Sequence, residues 1–127
     1  MKNTIIDKNG DPVIISATAL TPIAFKHTFG EDMLKTLSAI HKGETDKAEM
    51  IDACGKMAFI MAAQAANENN FEAVMSLTIN DYYKFLNGFN SDAFTNEQTQ
   101  VTVIGTWFNN ADVIEKAKNP ASRPNAT

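Results

Sequence analysis

The residues able to do chemistry are few in this 127-residue chain. His27 and His41 are its two histidines and Cys54 its single cysteine. A catalytic zinc ion takes three protein ligands from His, Cys or carboxylate at recognisable spacing, and no such cluster is present. His41 stands at the end of a helical pattern, where a cation is favoured, and His27 reads as a half-exposed helix residue. Cys54 falls on an apolar helical face, where a thiol behaves as a small hydrophobe. Nothing in the sequence sets a cation or base beside it to make a nucleophile. One cysteine also forbids an intramolecular disulfide. Asp7-x-Asn9 resembles the start of a calcium loop, but an EF-hand needs Gly sixth and Glu twelfth. Here Gly10 is fourth and Thr18 twelfth. No Gly-rich phosphate loop occurs, and Asn125-Ala126-Thr127 is a glycosylation sequon without a signal peptide before it. The reading is of a non-enzyme with no metal and no cofactor.

Composition narrows the partners. Eleven Lys and Arg oppose fifteen Asp and Glu, a net charge of −4. The basic residues are scattered singly, without the stripe that phosphate contacts require, so nucleic acid is not an expected partner. No apolar run reaches the roughly 18 residues of a membrane span, and no secretory h-region is visible. A cytoplasmic domain is expected. Hydrophobic residues at 44% and charged residues at 20% are ordinary for a globular chain.

The elements follow from pattern. Thr4-Ile5-Ile6 and Val13-Ile14-Ile15 flank Asn9-Gly10, which predicts a β-hairpin over about 4–16. Thr21-Pro22 reads as N-cap and N1 of a first helix that stops at Gly30. Glu31 to Lys42 carries Met33, Leu34, Leu37 and Ile40 on one face, and Gly43 ends it. The strongest element runs from about 46 to 66, with Ile51, Cys54, Ala58, Met61 and Ala65 at helical spacing. From Met57 to Ala66 it is apolar nearly all round, as a central buried helix should be. Gly55 and Gly105 inside helical patterns suggest close helix contacts. A turn of helix is read over Phe71 to Met75. Thr78 with Asp81 and Thr95 with Gln98 read as capping boxes for two further helices. The first carries Tyr82, Phe85, Leu86 and Phe89; the second carries Val101, Ile104, Trp107 and Phe108, although Val101 to Ile104 also has strand propensity. A separate turn or two is read around Asp112 to Lys116. Residues 119–127 read as a disordered polar tail. The fold class is therefore mainly α. A small helical bundle, one domain over 1–118, surrounds a central helix and carries an N-terminal hairpin.

The order of segments resembles a family. Thr21-Pro22 precedes Phe29-Gly30-Glu31-Asp32-Met33-Leu34. Then come Ala58-Phe59-Ile60-Met61-Ala62-Ala63-Gln64-Ala65, Tyr82-Tyr83-Lys84-Phe85-Leu86-Asn87-Gly88-Phe89 and Ile104-Gly105-Thr106-Trp107. Over residues 20–110 this is similar to the tail assembly chaperones of long, non-contractile-tailed phages and prophages, particularly those of Gram-positive hosts. Phe59 stands where that family commonly has Tyr, Ala63 where it often has Lys, Phe85 where Trp is usual, and Met33 where Leu is. The resemblance implies a small helical protein of the host cytoplasm, absent from the mature virion. It would coat the tape measure protein and keep it soluble until the tail tube polymerises. A longer frameshifted product would recruit the tail tube protein.

For such a role the expected surface is an adaptable apolar groove containing Met and aromatic residues. The contact residues chosen at the edges of the apolar faces are Phe25, Phe29, Met33, Tyr83 and Phe89. Tyr83 is included because it diverges by about 100° from Tyr82 on a helix. Of the six methionines, Met50, Met57, Met61 and Met75, in or near the central helices, read as core. The alternative is a structural tail or connector subunit kept in the virion, a homo-oligomer whose hairpin and C-terminal arm exchange between copies.

Overall fold

A computed structural model describes residues 2–118, with side-chain positions for residues 2–109. The tail expected over 119–127 lies outside the described residues. The chain runs β1 (Lys2–Ile6), β2 (Pro12–Ser16), α1 (Leu20–Phe29), α2 (Met33–His41), α3 (Lys47–Ala66), α4 (Phe71–Met75), α5 (Ile79–Leu86) and α6 (Glu97–Lys118). It is mainly helical, with one antiparallel hairpin.

The hairpin forms where Asn9-Gly10 placed it. Gly10 takes φ +81°, which an L side chain resists. Asp7 organises the turn: its Oδ1 accepts from the backbone N–H groups of Asn9 at 2.8 Å and Asp11 at 3.0 Å. One hairpin face, with Ile5 and Ile15 buried, rests on the helices, β2 against α3 and β1 against α6.

α3 is the central helix. A capping box of Asp46 and Glu49 starts it, a pairing the sequence reading passed over. Every residue from Met57 to Met61 is buried, so this helix is covered on all sides there. Gly55 permits the approach of α5: a Cβ at this position would sit 2.8 Å from the hydroxyl of Tyr82. Gly105 has no such role, since a Cβ there would meet only the Asn109 amide at 3.9 Å.

Several boundaries differ from expectation. α1 begins at Leu20, and Ala19 precedes it without a side-chain cap. Thr21 is buried inside the helix instead of capping it. Its hydroxyl accepts from the Thr18 N–H at 3.0 Å and donates to Gln64 Oε1. Gln64 Nε2 returns to Thr18 Oγ1 at 2.8 Å, which ties α1 to α3 through a satisfied polar knot. Replacing Thr21 by Val should preserve shape but orphan Gln64 Oε1 and the Thr18 N–H. The expected loss is about 1–3 kcal/mol, read as a lower urea midpoint with unchanged slope. Unaltered stability would mean the knot is not made.

α6 is capped by Asn96, whose Oδ1 accepts from Thr99 N–H at 3.1 Å. Thr95 is not its cap; the Thr95 hydroxyl donates to the Asp92 carbonyl at 2.8 Å. Val101 to Ile104 are helical, and the separate turn expected at 112–116 is part of the same unbroken helix. The Thr78–Asp81 capping box forms, and Gly30 and Gly43 adopt positive φ after α1 and α2.

Candidate functional site

A seam of aromatic rings crosses the molecule from α1 to the loop before α6. Phe25 meets Phe29 edge-on at 5.2 Å, and Phe29 meets Tyr82 at 5.1 Å and Phe59 at 6.1 Å. Phe59 passes the chain to Phe85 at 5.5 Å, Phe85 to Phe89 at 4.9 Å, and Phe89 to Phe94 at 5.2 Å. Tilted and edge-on contacts set the positive edge of one ring toward the negative face of another, worth about 0.5–1.5 kcal/mol per pair beyond burial.

The seam is closed at one end. Lys56 Nζ lies 5.3 Å from the Phe29 ring centre, within cation–π range, and pairs with Glu31 at 2.7 Å and Asp52 at 2.8 Å. Burial works against the Lys56 charge, but its bonds to Asp52 and Glu31 outweigh burial and hold its pKa above the usual lysine value.

At the other end the seam opens. A groove of about 460 Å³ lies between the hairpin and α5, with α3 as its floor. Val13 forms one wall, Phe85 and Phe89 the other, and Phe59, Ala62 and Ala63 the base. Asp7 and Lys84 are its charged lining residues. The turn closes one end of this space. Lys8 donates its backbone N–H to the Gly88 carbonyl at 2.9 Å and its ammonium to the Asn87 carbonyl at 3.0 Å. A cation at the last carbonyls of α5 is the favoured sign for that helix end.

The five expected contact residues separate into two groups. Phe25 is 0% exposed and Met33 1% exposed, so both lie in the interior of the folded chain and not at an edge of an apolar face. Phe25 faces the core from α1, and Met33 with Leu37 forms the buried face of α2, which leaves Leu34 on the outside. Phe29 is half-buried in the seam beneath Lys56. Phe89 lines the groove from just beyond the end of α5. Tyr83 is 60% exposed on the outer side of α5 while Tyr82 is buried, as their divergence required. The structure therefore brings Phe89 to the groove, leaves Tyr83 on the adjoining outer surface, and adds Val13, Phe59, Ala62, Ala63 and Phe85. Alanine offers no sequence signal of a groove.

The potentially reactive groups are placed for structure. Cys54 is fully buried, and burial pushes its thiol up to about 12. Burial likewise pushes the Tyr82 hydroxyl up to about 12, with the Asp52 charge adding to it. Both stay protonated at neutral pH. His27 and His41 are exposed. Among the described residues no three metal-ligating side chains converge, and none of the helices is long and apolar enough to cross a membrane.

Two other depressions differ from the groove in their lining. The larger, about 610 Å³, is rimmed by Asp46 and Glu97 at the starts of α3 and α6. The other, about 300 Å³, sets Leu34 and Leu37 of α2 against Trp107 and Phe108 of α6, without a strand or an aromatic seam beside it. The groove over α3, apolar apart from Asp7 and Lys84, can hold an apolar chain segment. Comparison with known protein families, curated proteins and solved structures gives no match to this chain.

Proposed function

We propose that this chain is a tail assembly chaperone of a long, non-contractile-tailed phage or prophage, and that its groove binds apolar segments of the tape measure protein. The observation that carries the reading is an open, aromatic-backed groove on a body whose own core is closed. Met57, Met61, Ile60 and Phe25 complete the interior without it. The apolar lining of Phe85, Phe89 and Val13 is left for another chain.

The chemistry suits a reversible cover. A long client exposes apolar stripes and aggregates unless they are masked. A shallow groove holds each stripe with modest affinity, so polymerising tube subunits can displace it. Net charge of −4 keeps the coated client dispersed. In this reading the protein acts in the host cytoplasm, has no catalytic activity, and is left out of the finished virion. Recruitment of the tail tube protein falls to a longer frameshifted product.

The test is co-expression of the tagged chain with the tape measure protein of the same phage or prophage. The expected result is a soluble complex that survives purification, with Tyr83→Ala and Phe89→Ala each reducing the recovered client. A client insoluble both with and without this chain overturns the reading. Stoichiometric presence of this chain in purified virions would instead establish a structural subunit.

A further inference from the structure

The groove takes one of its walls from β2, through Val13. Among the described residues β2 pairs with β1 alone. The register runs Lys2 opposite Ser16 through Ile6 opposite Pro12. The Asp7 N–H to Asp11 carbonyl bond, 2.9 Å, extends the same register by one bonded pair. Bonded and non-bonded pairs alternate along an antiparallel ladder. Ile5 with Val13 and Asn3 with Ile15 therefore exchange the hairpin's bonds. Pro12, Ile14 and Ser16 turn their backbone groups away from β1. Pro12 fits this parity, because its missing N–H takes nothing from the hairpin.

Neither Ile14 nor Ser16 makes a further backbone bond among the described residues. Ile14 is also 53% exposed. Unpaired donors and acceptors along a strand edge form a template for another strand. Native edges are commonly blocked by charge, and β1 carries Lys2. β2 reads Pro-Val-Ile-Ile-Ser and carries no charge.

Charge also selects the occupant. The groove beside β2 is apolar apart from Asp7 and Lys84, one residue of each sign. The complementary segment is uncharged where it lies against β2, with charges of either sign tolerated only at its ends. A helix laid in the groove would leave the outward N–H and C=O of Ile14 unpaired. An extended chain pairs them and sends alternate side chains down onto Ala62 and Ala63.

We propose that β2 accepts an uncharged, extended, apolar segment of the client as a third strand, with the groove over α3 receiving every second side chain. This rests on the groove being the client face and specifies how it is used.

The test follows the Ile14 amide. Hydrogen exchange of the chain alone and in complex with the co-expressed tape measure protein is compared, alongside Ile14→Pro and Ile14→Ala. Ile14→Pro removes the outward N–H and none of the hairpin's bonds; Ile14→Ala removes the side chain and keeps the N–H. Strand addition predicts about tenfold or greater slowing of Ile14 amide exchange in the complex. It also predicts a similar loss of client with Ile14→Pro beyond any loss with Ile14→Ala. A soluble complex whose Ile14 amide exchanges as fast as in the free chain overturns strand addition and leaves the chaperone reading standing, even where the proline variant does not fold. A client that the wild-type chain fails to hold overturns both. Concentration-dependent protection of Ile14 in the chain alone, with dimer in sedimentation, would give the edge to a second copy and overturn the client as its occupant.

Discussion

Phe25→Ala should lower the unfolding free energy by about 3–5 kcal/mol, the range for emptying a fully buried Phe site. The ring is wholly enclosed and packs edge-on against Phe29, so truncation leaves a cavity and removes one contact of the aromatic seam. A domain of this size has roughly 5–15 kcal/mol of stability in total. The variant should therefore melt about ten degrees or more below the wild-type chain by calorimetry. Met33→Ala should lose about 2–5 kcal/mol for the same reason. Tyr83→Ala makes the contrast, since its side chain is mostly in solvent and its stability change should stay within about 0.5 kcal/mol. At temperatures where Phe25→Ala remains folded, its client binding should be nearly normal. A Phe25→Ala protein that melts like wild type but no longer binds client would place this ring on the surface.

The burial of Phe25 and Met33, expected at the edges of the apolar faces, has a physical cause. Periodicity identifies which residues share a helical face, and Phe25 and Phe29 do share one. It carries no information on what covers that face. The salt-bridged Lys56 that lies over Phe29 comes from α3, and Phe59 that meets Phe29 comes from the same distant helix. Met33 and Leu34 are adjacent and both apolar, and only the packing of α2 decides that the first is interior. Local signals performed better. Asn9-Gly10, Gly30, Gly43 and the Thr78–Asp81 box act within a few residues of chain, and each forms. Where two local signals competed, packing chose. The β-branched run at Val101 to Ile104 is helical because Asn96 caps the chain ahead of it and Val103 is buried on the inner face.

The groove was the least legible feature. Its walls come from a strand, an α-helix and the residues just after another helix. Its floor is defined by side chains that are short. The register of the hairpin was equally hidden. The turn signal predicts a hairpin, but the direction of the Ile14 N–H depends on loop length, set by Asp7 pairing with Asp11. Had the loop shifted the ladder by one residue, Ile14 would bond to β1 and the edge would offer different groups.

Ala63→Glu should weaken client binding about 30-fold or more while leaving the fold intact. Ala63 is half-buried in the groove floor on the last turns of α3. Glutamate is a good helix former, and its placement near a helix C-terminus is unfavourable by only about 0.3–1 kcal/mol. Within the empty groove the carboxylate stays hydrated. An apolar segment seated over it would strip that water without supplying a partner, a penalty of about 2 kcal/mol or more, and each 1.4 kcal/mol is tenfold in affinity. Ala63→Lys separates bulk from charge burial. A lysine stem can lie along Phe85 or Phe89 and carry its ammonium out to water, so its loss should be several-fold smaller. The measurement is the yield of soluble tape measure protein recovered with each variant, beside its melting temperature. Equal losses for both substitutions would identify groove volume as what the client needs. Full client recovery with Ala63→Glu, at normal melting temperature, would show that the client sits elsewhere, and the apolar contact of Leu34 with Trp107 and Phe108 would be the next face to substitute.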